Sequence, residues 1–211
     1  MSEEKFVRLD IAFRLPENVA KTAMKLSKEI TEKDDVYFVL DDVAYFSHIT
    51  IFMGEFPEKN LEKIVQAVGE LARKIPSAEM MFTGNKSHLG WLGPCFYYSD
   101  NIRKIHETII EKINPLREGR VREKHKTSEY LEKLSFQQCE NVEKYGYPNL
   151  MDIYEPHLTL TKLKNETAAQ KVADEITTKW DINKFKTDTI GIFVLGEHGT
   201  CRKLIREFKL G

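Results

Sequence analysis

Neither sign of charge dominates this chain of 211 residues, in which 32 Lys and Arg stand against 33 Asp and Glu. A formal charge of -1 excludes a protein that coats duplex nucleic acid through a broad basic face, because that mode depends on releasing many counterions. A local basic cleft stays compatible with it. Cysteine is scarce: Cys95, Cys139 and Cys201 are odd in number, scattered, and form no C-x-x-C pair. Reduced thiols, each a small buried side chain rather than a nucleophile, are the simplest account. No run approaches the roughly 20 apolar residues of a membrane span. The opening MSEEKFVRLD is charged where a secretory signal would carry its apolar core, so the expectation is a cytoplasmic protein with no membrane partner.

What is present is the balance of an ordinary globule, 41% apolar and 31% charged, long enough to bury a respectable core. Val7, Leu9, Ile11, Phe13 and Leu15 alternate with polar neighbours and predict a strand over 5–15. Apolar residues at helical spacing predict helices over 17–33, from Pro57 through Ala72, over 102–113 and over 168–176. Extended stretches are expected at 36–40, 45–52, 80–82, 89–92, 95–98, 157–163, 189–195 and 203–208. Residues 114–155 are less regular, with a helical part near 130–136, and read as an insertion or lid. Strands and helices without regular βαβ alternation predict an α+β architecture of largely antiparallel sheets.

One order of parts occurs twice. FSHITIF leads through a polar turn into a helix, and so does EPHLTLTKL, half the chain later. H-x-T alone discriminates little, since five of the 6 histidines match it: His48, His106, His125, His157 and His198. Only His48-Ile-Thr-Ile and His157-Leu-Thr-Leu place apolar residues at alternate positions of a strand. There, i and i+2 share one face about 6.6 Å apart, so each His and Thr would look into one cleft. In a helix the same spacing diverges by roughly 200°, which sets His106 aside. Gly199 places His198 in a turn, and the basic run places His125 in a solvated segment. One neutral and one protonated imidazole can serve as base and acid on a phosphodiester, with two hydroxyls holding its non-bridging oxygens. The alternative is that both histidines are half-buried strand residues with local hydrogen bonds.

SHITIF and PHLTL resemble the paired signatures of the 2H phosphoesterase superfamily. RLDIAFRLPENV, GWLGPCFYYSDNIRKIHETI and IGIFVLGEHGTCRKLIREFKL are similar to further parts of its 2'-5' RNA ligase-like branch. The resemblance implies one bilobal domain over 1–211, with two pseudo-symmetric lobes and the signatures on adjacent central strands around a cleft. It implies metal-independent action on a 2',3'-cyclic nucleotide, an RNA end or a 2'-5'-linked oligonucleotide. His48 and His157 would be the acid/base pair, Thr50 and Thr159 the phosphate-holding hydroxyls. No cofactor is implied, and a monomer acting on nucleotide or single-stranded RNA is expected.

Tyr45, Phe46, Trp91 and Tyr154 are candidates to stack on a base, against the ordinary alternative of core packing. Arg117, Arg120, Arg122, Lys124 and Lys126 are candidates to steer a phosphate chain, although Glu118 and Glu123 interrupt them. Of these, Tyr154, Phe46, Trp91 and Arg122 are carried forward as substrate-binding residues. Lys162 is expected on the face opposite Thr159 and Thr161. Two other readings stay open. One is a nucleotide- or RNA-binding module without turnover; the other, a metal-dependent phosphohydrolase, lacks H-x-H-x-H and H-x-x-x-H spacings.

Overall fold

The computed structural model describes residues 5–211. The alternating N-terminal segment forms β1 (Phe6–Arg14). After Pro16, α1 (Glu17–Thr31) buries Val19, Ala23, Leu26 and Ile30 on one stripe, the spacing that sets a helix against a core. Then come β2 (His48–Pro57) and α2 (Leu61–Ala72). Next are β3 (Ala78–His88), β4 (Trp91–Phe96) and α3 (Asp100–Ile113), whose N-cap Ser99 accepts from Ile102 N–H. Two short helices follow, α4 (Ser128–Leu131) and α5 (Phe136–Tyr145), the latter opened by a Ser135/Gln138 capping box. The chain closes with β5 (Thr161–Lys162), α6 (Ala169–Thr177), β6 (Lys184–Thr187), β7 (Thr189–Leu195) and β8 (Cys201–Lys209).

Two four-stranded antiparallel sheets result, ordered β2-β1-β7-β8 and β5-β4-β3-β6, in agreement with the expected α+β class. A bridge between Ile49 and Leu158 joins their edges, and one apolar cluster runs beneath both. Gly93 permits the join on the second side, since a Cβ there would collide with the Leu158 carbonyl oxygen. Ion pairs tie the C-terminal ends of α1 and α6 together, each joining a glutamate in one helix to a lysine just past the end of the other (Lys33 to Glu175, Lys179 to Glu29).

Several expectations need correction. The 36–40 stretch makes only one bridge, Val36 to Leu163. Its Phe38 carbonyl is taken by the Thr161 hydroxyl and its Leu40 N–H by Ser27 Oγ, so side chains replace a ladder there. Leu89 and Gly90 are not strand but a hairpin turn, both at positive φ (47° and 85°), as a two-residue turn between antiparallel strands requires. In the 114–155 segment the main helix lies at 136–145 rather than near 130–136. That segment packs firmly: Arg117 is 2% exposed, and His125 and Asn141 are equally buried. β6 had no sequence signal strong enough to be read. Among the described residues, no helix is long and apolar enough to cross a membrane.

Burial pushes the imidazoles of His106 and His125 down to about 4. The unfolded chain binds those protons near the ordinary 6.5, so stability present above that value is lost as pH falls toward 4. By pH 5 the loss amounts to on the order of 2 kcal/mol per histidine. We therefore expect the urea midpoint to be clearly lower at pH 5 than at pH 7; equal midpoints would contradict the buried neutral histidines.

Candidate active site

Asp41 and Asp42 shape the entry to β2. Asp41 Oδ1 accepts the N–H groups of Val43, Ala44 and Tyr45, while Asp42 Oδ1 accepts both N–H and hydroxyl of Ser47. The strand that follows begins at His48. The register of the Ile49–Leu158 bridge sets His48 opposite Thr159 and Thr50 opposite His157, so the two signatures lie side by side, antiparallel, on one face.

Each histidine is held in the same way. His48 Nδ1 lies 2.7 Å from the Phe46 carbonyl oxygen, and His157 Nδ1 lies 2.8 Å from that of Glu155. In both cases the acceptor is two residues upstream, which fixes the ring and leaves Nε2 for other work. His48 is 7% exposed. His157 is open to solvent although protein atoms surround it closely, as suits a side chain on the floor of a cleft. The protein packed around the ring is the largest cause of a lowered pKa, opposed by the bond to the Glu155 carbonyl and aided by the nearby charge of His48.

Both signature strands then bulge at the same place. In β2 the register shifts so that Ala12 faces Thr50 while Ile11 faces Phe52, leaving Ile51 as the extra residue. In the second signature Leu160 N–H donates to Leu92 O at 2.9 Å, yet Thr161 also faces Leu92 and Lys162 faces Trp91. Burial follows: Ile51 and Phe52 are consecutive buried residues, as are Leu160 and Thr161. Such a bulge re-aims every side chain after it.

Lys162 consequently lies on the face of His157, not opposite it. Trp91 and Cys95 share a face of β4, and they pair with Lys162 and His157 respectively. Thr161 is the residue that turns inward. Met53 occupies the position of Lys162 in the first signature.

The carbonyl groups released by the bulges are caught from below. His106 Nδ1 lies 2.7 Å from Ile51 O, while its Nε2 accepts Met151 N–H at 3.0 Å; this places the proton on Nδ1. In the other lobe Ser27 Oγ donates to Leu160 O at 2.7 Å. Tyr154 adds a bond from its hydroxyl to Thr50 O at 2.5 Å. Its ring stacks on His106 with centroids 4.0 Å apart and is 6% exposed, so its faces are not open to a base.

Other candidates are placed as follows. Phe46 packs against Phe193 (5.4 Å) with Arg14 over its ring (5.3 Å). Tyr45 stacks on Phe38. Trp91 reaches the cleft face but carries Lys162 Nζ 3.8 Å above its ring, and its Nε1–H donates to His198 O. Arg122 is half-buried. The Thr159 hydroxyl has no hydrogen-bond partner among the described residues, whereas the Thr50 hydroxyl donates to Asp10 Oδ2 at 2.7 Å.

Asp10 was not foreseen. It is fully buried on β1, its Oδ2 stands 3.7 Å from His48 Nε2, and its Oδ1 has no hydrogen-bond partner. Burial raises its pKa, opposed by His48 and the Thr50 bond. With Cys201 it completes a buried three-donor group, Asp10, His48 and Cys201, whose ligand atoms lie within 4.8 Å of one another. Carboxylate, imidazole and thiol together are a donor set that zinc accepts. These donors come from three strands, so no local spacing announces them. Burial pushes the Cys95 thiol up to about 11 and holds the Cys201 thiol well above its ordinary value, which fits unreactive cysteines.

Known structures match the fold over nearly their whole length. TT0787 of Thermus thermophilus superposes with a TM-score of 0.57 at 14% identity, covering 96% of this chain and 97% of that one. E. coli LigT complexed with 3'-AMP gives 0.57 at 10% identity, covering 99% of each chain. A structure described as a phosphoesterase gives 0.53 at 12% identity, covering 98% of this chain and 99% of that one. The chain thus has the bilobal fold of the 2H phosphoesterases. It belongs to the family described as "Protein of unknown function (DUF1045)", whose model matches residues 52–201, a span that holds His157 and Thr159 but not His48. No curated protein matches the chain by sequence.

The bulge supports carry a stability prediction. His106→Ala removes a buried ring and orphans Ile51 O and Met151 N–H, and should cost on the order of 3 kcal/mol. Ser27→Ala orphans Leu160 O and should cost roughly 1–3 kcal/mol. Urea titration checks both; a change within about 0.5 kcal/mol, as at an indifferent surface site, would refute the bracing role.

Proposed function

We propose that the chain is a phosphodiesterase in which His48 and His157 act as one acid/base pair on a 2',3'-cyclic nucleotide, an RNA end or a 2'-5'-linked phosphodiester. The observation that carries this reading is the matched pair itself: two histidines on adjacent antiparallel strands, each tethered by Nδ1 to the carbonyl two residues before it. The 3'-AMP bound in the LigT structure is one product of opening an adenosine 2',3'-cyclic phosphate, and supports a nucleotide substrate.

A lowered pKa and a position open to solvent suit His157 to the role of the base, which takes the proton of the attacking oxygen. His48 then protonates the leaving oxygen. The unpartnered Thr159 hydroxyl is available to donate to a non-bridging oxygen as charge develops. Thr50 and Asp10, bonded to each other, brace the His48 side of the cleft.

A second reading has a specific observation behind it, the Asp10, His48 and Cys201 donor group. In that case His48 would be a metal ligand and the reaction metal-dependent.

Hydrolysis of 2',3'-cyclic AMP in the presence of a strong chelator separates the two. Undiminished turnover is expected, with a bell-shaped pH dependence of kcat/KM whose acidic limb has its midpoint below the ordinary imidazole value of 6.5, because the base must be neutral. Loss of turnover on chelation, restored by zinc, would establish the second reading. Nucleotide binding without hydrolysis under any condition would leave a binding module.

A further inference from the structure

The structure sorts the basic residues of the 114–155 segment into two groups. Arg117 is buried and donates to Asn114 Oδ1 and Lys144 O. Arg120 pairs with Glu55 at 2.7 Å and lies over the Phe6 ring. Lys126 pairs with Glu123 at 2.8 Å. Arg122 and Lys124 are left, and the acids that interrupt the run turn away from them, Glu123 toward Lys126 and Glu118 toward Asn60.

Arg122 is half-buried and Lys124 exposed, and other cations stand near both. Lys124 lies close enough to Arg122, Arg8 and Lys162 to be repelled by all three, and Arg122 close enough to Arg8. Arg8 stands on β1 two residues before Asp10, hence on the face that carries the histidine pair. Lys162 reaches that same face because of the bulge at Leu160–Thr161. Among the described residues, the side chains of Arg8, Arg122 and Lys124 make no hydrogen bond or ion pair. Glu55, which faces Arg8 across the β1–β2 ladder, is hydrogen-bonded by Arg120, and Lys162 pairs with Glu166 at 3.6 Å. Four cations brought together from three parts of the chain, with Glu55 already shared with Arg120 and only Glu166 beside Lys162, leave an excess of positive charge. A doubly charged ligand relieves it.

Building on the reading of the histidine pair as a phosphodiester site, we propose that Arg8, Arg122, Lys124 and Lys162 form a second anion site in the same cleft, which takes a phosphate monoester carried elsewhere on the substrate. The substrate class is then a small phosphodiester bearing its own terminal phosphate. An internal chain diester carries half that charge and would leave most of the repulsion in place.

Calorimetric binding to the full-length His157→Ala protein tests this with three probes: 2',3'-cyclic AMP, the same molecule phosphorylated at its 5' oxygen, and a dinucleotide ending in a 2',3'-cyclic phosphate without a 5'-phosphate. The 5'-phosphate should tighten binding at least about tenfold, the dinucleotide should show little of that gain, and adding Arg122→Gln with Lys124→Gln should abolish it. Equal affinities, a gain that survives both substitutions, an equal gain for the dinucleotide, or no binding of any probe would overturn the second site. Hydrolysis of the same probes by the unaltered protein reports separately on the histidine pair. A phosphate-dependent gain in binding without hydrolysis would sink the catalytic reading and leave the anion site standing.

Discussion

Two hydrogen bonds beneath the cleft hold its floor in shape. An extra residue follows the threonine of each signature, and the carbonyl it displaces would be an orphaned acceptor in the core without the His106 ring below β2 and the Ser27 hydroxyl below the second strand. A buried unpaired carbonyl is costly, so the kinks persist only because α3 and α1 supply these donors. What the kinks provide is direction. Histidine and threonine face the cleft, two consecutive residues turn inward, and Lys162 comes back to the histidine's side.

The two lobes share this plan but not its chemistry. His48 is buried beside Asp10 and Cys201, its threonine committed to the carboxylate. His157 is open to solvent with a free threonine next to it. Beyond the bulge the first strand offers Met53 and the second Lys162. Duplicated geometry with different neighbours is what a reaction needs when one imidazole must accept a proton and the other donate one.

Much of this was legible in the sequence because it depends on local periodicity. The alternation in FSHITIF and EPHLTLTKL separated His48 and His157 from three other H-x-T matches, and helical spacing located α1, α2, α3 and α6. The missed features depend on contacts far apart in the chain. Asp10 and Cys201 meet His48 only once β1, β2 and β8 come together. His106, set aside as a helical match, braces the very strand it was contrasted with, and nothing in its helix shows that its ring meets Ile51. The face of Lys162 was misread because alternation was carried through a bulge. In the first strand the adjacent Ile51-Phe52 hinted at one, whereas Leu160-Thr161 hid it behind a threonine that is buried by bonding to Phe38 O.

The central claim is that His48 and His157 act as a unit, and a double-mutant cycle on kcat tests it most directly. Residues that form one catalytic device lose their effect together, so His48→Gln, His157→Gln and the double variant should all fall to nearly the same residual rate. Losses that multiply in the double variant, or a single variant that keeps most of its turnover, would contradict the account.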